Sequence, residues 1–378
     1  MIGWYAKLPL FFHGRTLPAG SMVVICLFLA GCFGGVGKEP DLVKSDGTSG
    51  SVRFEKAEPS LFGYDECDRS RYEEGPDRPK ANPNEESYWP WKAVAWISPD
   101  DKIKAVVEGC EPSSVYFETS QSGIMTMPTE SSPASEPASD RIVHGEEETK
   151  DTDHVNGYAV LRLNPKAIIG GFKAKVYKEL NVEVQYITFI LPPNRHALPS
   201  DPVPVPPDRR VMERGIREVF KQAVVTISLT GEMNLTGVEA DYDLNDDGKL
   251  GLKTGGNFWD EYNKMRELIR DSPRLIVGPA VRLIYVESMD ILGQPAGRDA
   301  IFAGGDGDNI ARHAAHELGH IFGLGEYEDS SEGQTKHDPE NLMWSDFGTH
   351  PESVKGHLRY WQWDTVRAAI KSSEWNSP

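Results

Sequence analysis

The stretch that decides the fold is His316-Glu317-Leu318-Gly319-His320-Ile321-Phe322-Gly323-Leu324-Gly325-Glu326. Apolar residues recur at helical spacing upstream of it, so the pattern predicts a helix over 309–324, with Asp308 as N-cap and Gly325 near its end. Side chains four apart on a helix project from one face, so His316 and His320 can offer two imidazole nitrogens to one ion. Glu317 stands beside such an ion without filling the same corner, and can take a proton from a water there. A pair of surface histidines on an ordinary helix gives the same short pattern. Three further features separate the two. Gly323 follows His320 by three residues and lets the backbone turn sharply, since glycine tolerates the positive φ that ends a helix. Glu326 falls where that turn returns the chain to the ion. Asn341-Leu342-Met343-Trp344 comes next, after a polar loop.

Outward from the helix, the second half of the chain alternates strand and helix patterns. Strands are expected at 182–190, 223–229, 281–287 and 300–303, and helices at 206–223 and 258–270, with a closing helix in Leu358-Arg-Tyr-Trp-Gln-Trp-Asp-Thr-Val-Arg-Ala-Ala-Ile. Residues 88–180 hold short apolar runs separated by turn residues, which read as a small β-rich domain. Inside it, 128–153 is dense in Ser, Pro, Glu and Asp and reads as a disordered insertion. Residues 32–87 are polar and read as a tether or low-order region, and 1–31 as a targeting segment.

Helix with two histidines, glycine turn, third ligand and methionine turn together resemble the metzincin family of zinc peptidases. The resemblance covers 181–378 and implies an α+β fold: a twisted mixed sheet with an active-site helix and a C-terminal helix, preceded by the β-rich domain. It implies Zn2+ held by His316, His320 and Glu326, with Met343 as the apolar floor, although an ordinary core methionine has the same physical character. The family pattern has His, sometimes Asp, where this chain has Glu326. Zinc accepts a carboxylate oxygen readily, and a set of two His and one Glu is known for catalytic zinc. His313, Glu328, Asp329 and His337 remain alternatives, as does a merely solvated Glu326. His313 is expected to pack or to make hydrogen bonds behind the ligands. The implied chemistry is hydrolysis of peptide bonds, because zinc lowers the pKa of a bound water from about 15.7 to about 7 and Glu317 relays the proton. Substrate would extend along the edge strand, placed here at 281–287, with the region after Met343 lining a side-chain pocket. A thermolysin-like arrangement, with a distant third ligand, fits Gly323 and Met343 poorly. The rival class is a non-catalytic binding or adhesion lipoprotein that retains the fold; it has no physical need for Glu317.

A second motif, Asp241-Tyr-Asp243-Leu-Asn245-Asp246-Asp247-Gly248-Lys249-Leu250, resembles the first half of a calcium loop. Asp243, Asn245 and Asp247 would be side-chain ligands to Ca2+ and Lys249 a carbonyl donor. The twelfth position is Thr254 and not the bidentate Glu of the full motif. A polar turn, which the same residues favour for local reasons, is an equal reading.

Lys7 and Arg15, an apolar run over 22–30, and Leu29-Ala30-Gly31-Cys32 resemble a bacterial lipoprotein signal. The run is too short for a stable anchor. Cys32 is then the lipidated residue, the membrane a partner through that lipid, and the expected location the bacterial cell envelope. Phe33 in place of Asp favours the outer membrane. Of the four cysteines only Cys67 and Cys110 remain for an oxidising compartment, where they can pair or stay free. With 58 acidic against 40 basic residues and a formal net charge of -18, the chain lacks the cationic surface that nucleic acid requires. Acidity alone names no substrate; the metzincin resemblance implies a protein or peptide partner.

Overall fold

The structure, a computed structural model, describes residues 43–44, 50–65, 89–97, 100–127, 134, 136–150, 153–162, 167–191, 205–245, 248–251, 258–273, 281–289, 293–303, 308–326, 341–343 and 356–372. Contacts divide the chain into Met1–Glu39, outside those residues, and one unit of Pro40–Pro378. In chain order the second unit contains β1 (Val43–Lys44), β2 (Ser51–Lys56), β3 (Tyr64–Asp65), β4 (Trp91–Ala95), β5 (Asp101–Glu108), β6 (Val115–Thr119), β7 (Met125–Thr126), β8 (Ala138–Gly145), β9 (Val155–Leu161), β10 (Ala167–Tyr177) and β11 (Leu180–Ile190). There follow α1 (Arg209–Phe220), β12 (Val225–Thr236), α2 (Phe258–Asp271), β13 (Val281–Val286), β14 (Gly293–Ala296), β15 (Asp299–Ala303), α3 (Asp308–Ile321) and α4 (Tyr360–Ser372). With mixed sheets and four helices among the described residues, the fold is α+β.

Two of the sheets face each other across one core. The six-stranded sheet runs β3-β4-β10-β9-β6, with β1 paired to β10, and the four-stranded sheet runs β2-β5-β8-β7. Val52, Phe54, Ile103 and Ala105 from one meet Phe117, Phe172 and Val176 from the other, with the rings of Phe54 and Phe172 centred 4.9 Å apart. Two expectations change here. β2 and β3 lie in the stretch read as a tether, and β8 lies in the stretch read as a disordered insertion. The inward position that breaks the apolar alternation of β8 is Arg141, whose guanidinium sits 4.2 Å over the Phe117 ring and so hides a strand inside a polar sequence.

The third sheet runs β12-β11-β13-β15-β14; all pairings are parallel except β14 with β15. Its inner strands β13 and β15 are mostly apolar on both faces because helices cover both, whereas β12 alternates apolar and polar residues. Val184, Leu283, Ala300 and Phe302 face α1, α3 and α4, whereas Ile187, Phe189, Ile284 and Ile301 face α2. Trp91, Ala93 and Tyr177 of the six-stranded sheet belong to the same core as α4, and Trp91 stacks on Tyr360 at 4.2 Å. The strand expected at the edge, 281–287, is central instead: β13 pairs with β11 and β15. The edge is β14, Gly-Gln-Pro-Ala, too short and too poor in apolar residues to announce itself, and its Pro295 suits an edge.

Candidate metal centre

Helix α3 packs its apolar stripe, Ile310, Ala311, Ala314, Ala315 and Leu318, into the core shared with α1 and the sheet. That fixes its rotation and turns His316, Glu317 and His320 toward β14. The helix ends at Gly323, whose φ of +86° is the left-handed conformation glycine adopts at no side-chain cost. The Leu324 N–H reaches back to the Gly319 carbonyl at 2.9 Å, closing the end and bringing Glu326 round.

His316, His320 and Glu326 offer one ligand atom each within 4.8 Å of one another. The two Nε2 atoms are 3.2 Å apart, and Glu326 Oε1 lies 3.3 Å from that of His320 and 3.7 Å from that of His316. Each Nδ1 faces a backbone carbonyl, Leu342 for His316 and Leu324 for His320, both at 2.9 Å. A carbonyl only accepts, so each Nδ1 carries the hydrogen and each Nε2 presents a lone pair. Two lone pairs and a carboxylate oxygen at these separations repel unless a positive charge sits among them, either a metal ion or an added proton. Two nitrogens and one oxygen are a donor set that zinc accepts, so the residues fit the ion. Burial works to raise the Glu326 pKa, but when an added proton makes Nε2 a donor, hydrogen bonds from His316 and His320 outweigh burial and hold it down at about 2.

Glu317 is buried, and its Oε2 has no partner among the described residues. Burial raises its carboxyl to about 7; the two imidazoles oppose the shift and Glu326 adds to it. A buried carboxylate oxygen without a donor costs free energy. The other side of the carboxylate touches the edge strand: a Cβ on Gly293 would stand 2.2 Å from Glu317 Oε1. On the opposite face of the helix turn, Met343 is fully buried, with its sulfur 2.7 Å from where a Gly319 Cβ would be. Met343 therefore packs closely against the helix at Gly319.

Of the alternative third ligands, His313 is half-buried with its pKa lowered by burial and by His316, and stands outside the triad. Glu328, Asp329 and His337 lie outside the described residues, as does the segment after Met343. The sequence reading did not single out Gly319, Gly293 or the two carbonyls; the glycines carry no side-chain chemistry, and carbonyls exist at every residue.

In the 243–251 loop, Asp243 is buried and accepts the Gly248 N–H at 2.7 Å, and Gly248 has a φ of +78°. Leu250 is fully buried and bridges to Met289. Glu261 of α2, which the sequence reading passed over, is fully buried and accepts the N–H groups of Gly251 at 2.8 Å and Leu244 at 3.2 Å. Asn245 and Lys249 are described; Asp247 and Thr254 lie outside the described residues. Among the described residues, His316 and His320 of α3 with Glu326 beyond its end are the one group of three His, Cys, Asp or Glu side chains close enough to hold a metal ion. Cys110 is a half-buried free thiol, while Cys67 and Cys32 lie outside the described residues. No helix among the described residues is long and apolar enough to cross a membrane.

No family model matches the chain, and no curated protein matches it.

Proposed function

We propose that the protein is a zinc-dependent endopeptidase of the metzincin type, anchored by lipid at Cys32 in a bacterial cell envelope, at the outer membrane, and acting on extracytoplasmic protein. The observation that carries the reading is the convergence of two Nε2 lone pairs and one carboxylate oxygen, each imidazole fixed from behind by a carbonyl. When bound, zinc supplies a Lewis acid that polarises a carbonyl and acidifies water.

The chain's own residues do the rest. His316 and His320 would present nitrogen to the ion, and Glu326 an anionic oxygen. Glu317, whose free oxygen makes it available, takes a proton from water and returns it to the leaving amine. Its unpartnered oxygen favours an enzyme over a binding scaffold, which gains nothing from that cost. β14 is the last strand of its sheet among the described residues; an extended peptide adding to it passes Gly293, and the absence of a side chain there leaves the scissile bond a path to Glu317.

The test is zinc stoichiometry of the purified protein together with cleavage of a peptide library, compared with Glu317→Ala. The variant is expected to keep one zinc and lose cleavage. Equal cleavage by both proteins, or a protein that takes up no zinc, would falsify the proposal.

A further inference from the structure

We infer that Asp65, on the two-residue strand β3, is a positioning residue for the metal ligand His316, which makes the N-terminal β-rich part a component of the metal centre. The inference rests on the reading of His316 as a ligand. It concerns residues that the sequence assigns to a tether.

The connection begins at His316, whose Nδ1–H donates to the Leu342 carbonyl at 2.9 Å. That bond selects the tautomer with its lone pair on Nε2 and fixes the ring plane. The direction of the carbonyl depends on the short turn Asn341–Met343. Two bonds hold the turn: the Leu342 N–H donates to the His357 carbonyl at 2.8 Å, and the Met343 N–H donates to Asn341 Oδ1 at 2.9 Å.

Asn341 is itself clamped by Gln362 in the first turn of α4. Asn341 Nδ2 donates to Gln362 Oε1 at 2.9 Å, and Gln362 Nε2 donates to Asn341 Oδ1 at 3.1 Å. Each oxygen takes a second, backbone donor, Met343 N on Asn341 and Arg359 N on Gln362, the latter at 2.8 Å. Both carboxamides are buried, so neither amide flips without stranding a donor.

The start of α4 is set in turn by Asp65. Its Oδ1 accepts Arg359 Nη1 at 2.7 Å and its Oδ2 accepts the Tyr360 N–H at 3.1 Å. Asp65 is 1% exposed and Arg359 3%. The carboxylate satisfies an N–H at the helix start and places negative charge there, as an N-cap does, but from a strand nearly 300 residues away, Arg359 being 294 positions from Asp65. The neighbouring Tyr64 carbonyl also accepts His357 Nε2 at 3.0 Å, so β3 holds the segment on both sides of the turn's own anchor. Position therefore passes from Asp65 to Arg359 and Tyr360, to Gln362, to Asn341, and through the Leu342 carbonyl to His316. A domain that merely sat beside the peptidase would have no buried carboxylate in this chain of bonds.

The test uses Asp65→Asn and, since loss of a buried charge partner can unfold the protein, Gln362→Leu, which leaves Asp65 and Arg359 paired. Arg141→Met, which removes a buried guanidinium of β8 that lies over the Phe117 ring and bonds Ser139, is the control for general destabilisation. Three quantities are read in the full protein: zinc affinity by chelator competition, the visible spectrum with cobalt in place of zinc, and the side-chain nitrogen chemical shifts of His316 without metal. Each variant that folds is expected to bind zinc about 10- to 100-fold more weakly, shift the cobalt bands, and show His316 as a mixture of tautomers, while the control does none of these; a folded Asp65→Asn protein that matches wild type in all three would overturn the inference. Wild-type affinity, spectrum and tautomer in a folded Gln362→Leu protein would overturn the inference. If wild type itself takes up no zinc, the peptidase reading fails, and the His316 tautomer in the variants still decides whether Asp65 and Gln362 position the ring.

Discussion

Gly293→Ala is the sharpest test of where the chemistry happens, because it adds one methyl group to the edge strand and touches no ligand. The new Cβ would stand 2.2 Å from Glu317 Oε1, 2.4 Å from its Cδ and 2.7 Å from its Cγ, where ordinary contact begins at 3.4 Å. The Glu317 carboxyl must therefore retreat by about 1 Å. A displacement of that size in a reacting group costs about 100-fold in rate, or about 2.7 kcal/mol of barrier. Stability should move little. Gly293 is not in the left-handed region, so alanine fits the backbone and gains about 0.4–1 kcal/mol by restricting the unfolded chain, against the cost of moving one flexible side chain. His316, His320 and Glu326 are not displaced, so zinc content stays at the wild-type value. The assay is kcat and KM on a peptide substrate, with thermal midpoint and bound zinc measured on the same preparation. A stable, zinc-loaded Gly293→Ala protein with wild-type kcat would show that Glu317 does not act beside β14, and the proton-relay role would have to be abandoned.

Three further outcomes follow from other parts of the molecule. In metal-free protein the Glu317 carboxyl, raised from 4.5 to about 7, keeps its proton to higher pH in the folded state than in the unfolded chain. Its contribution is full below about pH 4.5 and lost as pH rises through about 7, so wild type should lose about 3 kcal/mol relative to Glu317→Gln between pH 4.5 and pH 8; parallel urea-unfolding curves across that range would contradict the burial of this group. Gly323→Ala meets nothing closer than 3.7 Å, so its cost is that of the φ of +86°, about 1–2 kcal/mol, and because Glu326 lies just beyond, zinc affinity should fall with it; a variant of wild-type stability and affinity would mean that the turn is not needed. In the buried Lys92–Asp101 pair, Asp101 also accepts backbone N–H groups from Leu61, Phe62 and Lys102. Asp101→Ala leaves those three N–H groups without their acceptor and the ammonium with neutral acceptors, the Ser60 hydroxyl and the Phe62, Gly63 and Ala93 carbonyls, and should cost about 3–5 kcal/mol. Lys92→Met should cost clearly less, since the N–H groups still hold the carboxylate; the reverse order in denaturant titrations would refute this account.

How far the sequence reaches is set by whether a feature is local and carried by residue identity. Helix α3 and the cluster beside it were legible because His316, His320 and Glu326 fall within eleven consecutive residues, on one helix and one turn whose glycine has a stated conformational use. The central strands β11, β13 and β15 were legible as apolar stretches, since helices on both faces leave few polar positions along most of their length. The edge strand was not, and 281–287 was taken for it, because strand order is a non-local property and β14 offers one buried residue in four. β8 escaped because a stacked guanidinium filled an inward place that an apolar side chain would have marked.

The same division runs through the metal centre. The groups that can bind an ion are named by their side chains, but what aims them is a pair of backbone carbonyls, which every residue has. What leaves room around them is Gly293 and Gly319, which act through the lack of an atom. Asp65 and Gln362 are ordinary polar residues until the fold brings Arg359, Tyr360 and Asn341 against them. A donor set can thus be read from a short stretch, whereas its preorganisation requires the sheet, the closing helix and a strand near the other end of the chain to be assembled first. Since metal affinity and catalysis depend on that preorganisation as strongly as on the donors themselves, a fragment holding only 181–378 would retain every ligand and lose the Asp65 end of the bonds that aim His316.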